Sequence, residues 1–164
     1  MQEGKITVYY GEGYGKTSAA IGNAIKVAST GGSATMIQFL KGQLSEDFFS
    51  RLEPEIKVFR FEQNIEGYDD LTREEQEEEK KNFENAIMFA KKVLTVDECD
   101  LLVLDEVLGV IERGLIPAEA LVEVLSVKSP PVSVILTGNH LPDAIRQIAD
   151  TVYDIVPEKL PAGS

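Results

Sequence analysis

Short runs of β-branched and aromatic residues alternate along the chain with longer stretches whose apolar positions recur every three or four residues. The short runs, at residues 6–10, 34–39, 57–61, 101–105, 132–137 and 152–155, predict strands. The first long stretch predicts a helix over residues 16–29, with Ala20, Ile21, Ala24, Ile25 and Ala28 on its buried stripe and Gly31 and Gly32 to end it. A second predicts a helix over residues 72–94. Thr72 and Glu75 have capping-box spacing at its start, and Phe83, Ile87, Ala90 and Leu94 share one face. Its acidic run, 74–79, lies near the positive end of the helix dipole, with Lys91 and Lys92 toward the negative end, and predicts a solvated face. Two shorter helices are expected to start near Pro117, with Leu121, Val124 and Leu125 inward, and near Pro142, with Ile145 and Ile148 inward. Strands alternating with helices specify an α/β fold with a mostly parallel sheet flanked by helices. There is no repeat or linker, so residues 1–164 form one expected domain.

Composition narrows the function classes. No apolar run approaches the ~18–20 residues that a membrane span needs, so no membrane role is expected. The opening residues run directly into the first strand, and no secretory signal is expected there. A single cysteine cannot form an internal disulfide, which suits a cytoplasmic protein. With one cysteine and one histidine a Cys/His zinc site is excluded, whereas hard cations with oxygen ligands stay open. The formal net charge of −12, with no basic cluster, argues against nucleic acid as a partner.

The strongest chemical signal is Tyr10-Gly11-Glu12-Gly13-Tyr14-Gly15-Lys16-Thr17, set between an apolar strand and an amphipathic helix. In that context successive backbone N–H groups and a helix N-terminus converge on phosphate, as in a P-loop. Gly11, Glu12, Gly13, Tyr14 and Gly15 are the loop candidates. Lys16 would neutralise phosphate oxygens, and Thr17 would place its hydroxyl on Mg²⁺. The alternative is a plain Gly-rich turn. One departure from the general motif is Tyr10, where a glycine is usual.

A second signal is the apolar run 101–104 ending in Asp105 and Glu106. Such a strand can bring a carboxylate beside the phosphate loop, with Glu106 the expected Mg²⁺ ligand and Asp105 in support. The same pair could instead be a helix cap or a solvated loop. Gln38 and Lys41 end the second strand and Asn139 follows the fifth, on the side where ligands of open α/β sheets gather. Each could equally be a surface residue. For His140, nothing nearby in sequence suggests an acid–base partner.

Taken together, the phosphate loop, Gln38-Phe39-Leu40-Lys41-Gly42, Arg51-Leu52-Glu53-Pro54, Leu104-Asp105-Glu106 and Leu136-Thr137-Gly138 resemble the P-loop ATP:corrinoid adenosyltransferases. The similarity runs from about residue 5 to 158. That family has a non-glycine where Tyr10 stands. The resemblance implies a RecA-like P-loop fold and a homodimer. It implies ATP as co-substrate with Mg²⁺, and transfer of its 5′-deoxyadenosyl group to a reduced corrinoid with triphosphate leaving. An electron-donating reductase would supply the reduced cobalt. Carried over by position, residues 11–17 would bind triphosphate, Lys16 and Glu106 would be catalytic, and Gln38, Lys41 and Asn139 would lie near the substrates. The family usually has lysine where Tyr14 stands, arginine where Asn139 stands, and often a longer C-terminal segment. Those departures leave two rivals standing, a P-loop kinase or ATPase with another substrate and a non-catalytic nucleotide or corrinoid binder.

Overall fold

The computed structural model describes residues 2–40, 46–61, 67–96 and 98–163. Six strands, β1 (Ile6–Tyr10), β2 (Ala34–Gln38), β3 (Ile56–Arg60), β4 (Leu101–Asp105), β5 (Ser133–Gly138) and β6 (Thr151–Asp154), form one sheet in the order β3-β2-β4-β5-β1-β6. All five strand pairings are parallel, so the carboxyl ends of all strands point to one edge. The helices are α1 (Lys16–Ser29), α2 (Glu46–Ser50), α3 (Arg73–Val96), α4 (Val107–Glu112), α5 (Ala118–Ser126) and α6 (Asp143–Ile148).

Strand residues alternate between two apolar cores, one on each side of the sheet. Val8, Ile37, Leu102, Leu104, Val134 and Leu136 face the larger core, which Phe83, Ile87 and Leu94 of α3, Leu121 of α5 and Ile145 of α6 complete. Met36, Leu101, Val103 and Ile135 face the smaller one, closed by Ala20, Ile21 and Ala24 of α1 and Phe49 of α2. The result is a helix–sheet–helix sandwich with a RecA-like strand order, in which β5 lies between the strand of the phosphate loop and the strand carrying Asp105. Among the described residues no helix is long and apolar enough to cross a membrane.

Most predicted elements are found within a residue or two of their expected ends, and the capping box is formed. The Thr72 N–H donates to Glu75 Oε2 at 2.7 Å and the Glu75 N–H to Thr72 Oγ1 at 3.2 Å. Two expectations are corrected. Ile25 is half exposed because α1 lays only a narrow stripe, Ala20, Ile21 and Ala24, on the sheet. Glu79 is buried, not solvated: one turn before Phe83, it shares the face that α3 turns inward, and its Oε2 has no hydrogen-bond partner among the described residues. Lys91 and Lys92 lie near the negative end of α3, just before its last turn, since the helix continues to Val96. Pro117 and Pro142 are N-cap residues with extended backbone, one position before the helix proper. Helices α2 and α4 were not anticipated at all.

Candidate active site

At the carboxyl edge of the sheet, one register row crosses the strands. Arg60 pairs with Gln38, and Gln38 with Asp105. Thr137 hydrogen-bonds Asp105 and pairs with Tyr9, which pairs with Tyr153. By alternation this row lies on the side covered by α1, below the first turn of that helix.

The phosphate loop leaves β1 and enters α1 over this row. Its base is fixed from two sides: Gly11 N–H donates to the carbonyls of Gly138 and Asn139, each at 3.2 Å, and Gly13 N–H to that of Ile155 at 3.2 Å. A Cβ on Gly11 would meet the Ile155 carbonyl oxygen at 2.4 Å, and φ is +120° there, so two separate constraints demand glycine. Gly15 is the N-cap of α1 at φ 112°, a left-handed turn that aims the first N–H groups of the helix into the loop. Lys16 is largely buried, and its ammonium closes the loop by donating to the carbonyls of Gly11 at 2.6 Å and Gly13 at 3.0 Å. Glu12 and Tyr14 face solvent, Tyr14 at 87% exposure.

Asp105, 1% exposed, gathers the neighbouring side chains. Its Oδ1 accepts the hydroxyls of Thr17 at 2.9 Å and Thr137 at 2.8 Å, while Oδ2 faces the Gln38 amide nitrogen at 3.5 Å. Burial pushes its carboxyl above the ordinary carboxylate value, against these hydrogen bonds and the positive charge of Lys16. Glu106 is likewise raised, first by burial and then by the negative Asp105, with Lys16 and Arg113 opposing. Glu106 is the N-cap of α4 and holds φ 59°. Its N–H donates to Thr137 Oγ1 at 2.8 Å, which ties the unusual backbone to β5. A Cβ on Gly109 would lie 3.0 Å from Glu106 Oε2 and 2.8 Å from Leu40 Cδ1, so the missing side chain leaves room for the carboxylate.

Thr17 is thus in contact with Asp105, the residue expected to support Glu106. Gln38 is 2% exposed and spans Asp105 and Arg60, whose Nε donates to Gln38 Oε1 at 2.8 Å. Asn139 touches the loop through its carbonyl. Lys41 and Gly42 lie outside the described residues. His140 does have an acidic neighbour: its Nε2 is 3.0 Å from Glu112 Oε1, with both side chains exposed. Sequence reading missed the roles of Thr137 and Arg60. The available signal was positional, since both end strands at the same edge as Gln38 and Asp105.

The donor set suits Mg²⁺, which takes one or two carboxylates beside phosphate and water oxygens and rarely an all-protein cage. Among the described residues no three His, Cys, Asp or Glu side chains cluster as such a cage would require. A threonine hydroxyl beside a carboxylate, next to a loop lysine, is the smaller set that a nucleotide-bound ion needs.

Known proteins are similar to this chain over most of its length. The chain is 29% identical over 158 residues to a corrinoid adenosyltransferase of Escherichia coli (strain K12), covering 96% of this chain and 79% of that one. It is 29% identical over 160 residues to the corrinoid adenosyltransferase CobA of Salmonella typhimurium (strain LT2), with the same coverage. A corrinoid adenosyltransferase of Pseudomonas aeruginosa is 27% identical over 157 residues, covering 94% and 75%. Among solved structures, a KaiC-like protein of Pyrococcus horikoshii OT3 superposes with a TM-score of 0.59 at 18% identity, covering 98% of this chain and 76% of that one, which supports the fold. The model of the ATP:corrinoid adenosyltransferase BtuR/CobO/CobP family matches residues 2–163, and the chain belongs to that family.

Proposed function

We propose that this protein transfers the 5′-deoxyadenosyl group of ATP to the cobalt of a reduced corrinoid and releases triphosphate. The observation that carries the reading is the 2.9 Å hydrogen bond from Thr17 of the phosphate loop to Asp105, within a chain that matches the family almost end to end. In this reading the electron pair of Co(I) attacks C5′, the C5′–O bond breaks, and its electrons leave on the triphosphate. The attack is at carbon, so the protein needs no base to activate water. Its task is to hold the triphosphate and orient C5′. Residues 11–17 cradle the triphosphate, with Lys16 moving from the Gly11 and Gly13 carbonyls to phosphate oxygens. Thr17 and Asp105 hold Mg²⁺, with Glu106 behind them. When bound, that ion neutralises charge on the departing triphosphate. The cobalt is reduced by an electron donor outside this chain, and the working form is a cytoplasmic homodimer.

The test is incubation with ATP, Mg²⁺ and chemically reduced cob(I)alamin, following the corrinoid spectrum and the phosphate products. Adenosylcobalamin with intact triphosphate is the expected pair. Orthophosphate as the primary product would assign a different reaction.

A further inference from the structure

We propose that Arg60, at the end of the edge strand β3, is a positioning residue for the nucleotide-bound metal, acting through the Gln38 amide on Asp105. This rests on the reading that Asp105 and Thr17 hold Mg²⁺. A glutamine amide carries an acceptor at one end and a donor at the other, and the two are nearly identical in shape. What faces it therefore decides which way it points. Gln38 sits between a carboxylate, which when ionised only accepts hydrogen bonds, and a guanidinium, which only donates. Arg60 Nε, 2.8 Å from Oε1, fixes the oxygen toward β3 and so turns the NH₂ toward Asp105 Oδ2.

The far side of Asp105 is already occupied, because its Oδ1 accepts from both Thr17 and Thr137. Pointed the other way, Gln38 would set its carbonyl oxygen against Oδ2, repelling the carboxylate from the position that keeps Oδ1 on Thr17. Gln38 is almost fully buried, and Arg60 is the donor that meets its Oε1. Arg60 itself is exposed at the sheet edge, with its guanidinium 5.1 Å from the centre of the Phe49 ring, a contact that limits its freedom. The line from Arg60 to Thr17 thus crosses three strands and one helix through side-chain hydrogen bonds alone.

The experiment compares wild type, Arg60→Met, Arg60→Lys, Gln38→Met and the double variant Arg60→Met/Gln38→Met. Methionine keeps an apolar stem against Phe49 and removes the guanidinium, with its donors, its charge and its cation–π contact. Calorimetry of ATP binding is run with Mg²⁺ and with chelator, and ¹⁵N spectra of the ligand-free proteins follow the Gln38 side-chain amide. Arg60→Met is expected to weaken Mg²⁺-dependent ATP binding by about three- to ten-fold, the worth of one hydrogen bond, and to leave metal-free binding unchanged. It is also expected to shift the Gln38 amide signal. Arg60→Lys, which restores a donor, should recover part of the loss, and the double variant should bind no more weakly than Gln38→Met. Three results would overturn the proposal: wild-type affinity in Arg60→Met, an equal loss with and without Mg²⁺, or full additivity with Gln38→Met. A wild-type protein that binds ATP no better with Mg²⁺ than without would instead overturn the metal reading on which it rests.

Discussion

The hydroxyl of Thr137 spends both its capacities on the site: it donates to Asp105 Oδ1 and accepts the N–H of Glu106. Glu106 is the one non-glycine residue with positive φ among the described residues, a backbone state that persists only where its surroundings fix it. Thr137→Val keeps the shape and removes both bonds, leaving the Glu106 N–H without its acceptor beside a buried carboxylate. We expect a loss of about 1–3 kcal/mol in denaturant unfolding, with Thr137→Ser losing less. A different kind of residue effect is expected at the rim, where Tyr14 and Asn139 stand in place of the family's usual cations. Tyr14 is in solvent, and the Asn139 carbonyl meets Gly11 at the base of the loop. Tyr14→Lys and Asn139→Arg should each tighten ATP binding, by about ten-fold if the new cation makes one charged hydrogen bond to phosphate. Unchanged calorimetric affinity in both variants would mean that neither position approaches the triphosphate.

Between elements, α4 packs closely against the end of β5. A Cβ on Gly138 would lie 2.3 Å from Leu108 Cβ and 3.1 Å from its Cα, so Gly138→Ala must push the helix away. Because Glu106 is the N-cap of α4, that shift would also disturb the Thr137 contact. Thermal unfolding should register a cost of about 1–3 kcal/mol or more, typical of an overpacked core. The need for glycine at 138 was not readable from sequence, because α4 itself was not. At six residues it shows less than two full turns of periodicity, and α2, at five, shows less still. Helices α1 and α3 were legible because 14 and 24 residues repeat their apolar spacing several times. The phosphate loop was legible for another reason, since its glycines, Lys16 and Thr17 are adjacent in the chain. The surroundings of Gln38 were not: its two partners lie 22 and 67 residues away and meet it only through sheet order. The same limit hid the burial of Glu79, whose six-residue acidic run reads as solvent-facing until the packing of α3 turns one member inward.

For the molecule as a whole, a net charge of −12 must be reconciled with an anionic ligand at a site that buries carboxylates of its own. Surface charges are screened over a Debye length of roughly 8 Å at physiological salt, so the local field at the loop comes chiefly from Lys16 and the first turn of α1. Opposing it are Asp105 and Glu106, both raised above their ordinary values of 3.8 and 4.5, with burial the largest cause. The sign follows from linkage. A carboxyl raised in the folded state binds its proton more tightly there than in the unfolded chain. Its contribution to stability is therefore complete below the ordinary value and is lost as pH rises through the raised one. The ligand-free protein should accordingly lose stability from this pair as pH climbs from the ordinary carboxylate range toward neutrality. Mg²⁺ with ATP reverses that slope locally, because a cation favours the ionised carboxylates that burial disfavours. Melting temperatures across this range should show a stabilisation by Mg²⁺ and ATP that grows with pH. Asp105→Asn removes the buried charge, and its amide oxygen can still accept from Thr17 and Thr137, at the cost of setting its NH₂ against that of Gln38. At neutral pH and above, the ligand-free variant should melt higher than wild type, the gap should close as pH falls toward 3.8, and the Mg²⁺-dependent part of the ATP effect should disappear. A ligand-free Asp105→Asn variant that melts below wild type at neutral pH would mean that the hydrogen bonds and Lys16 outweigh burial at this site.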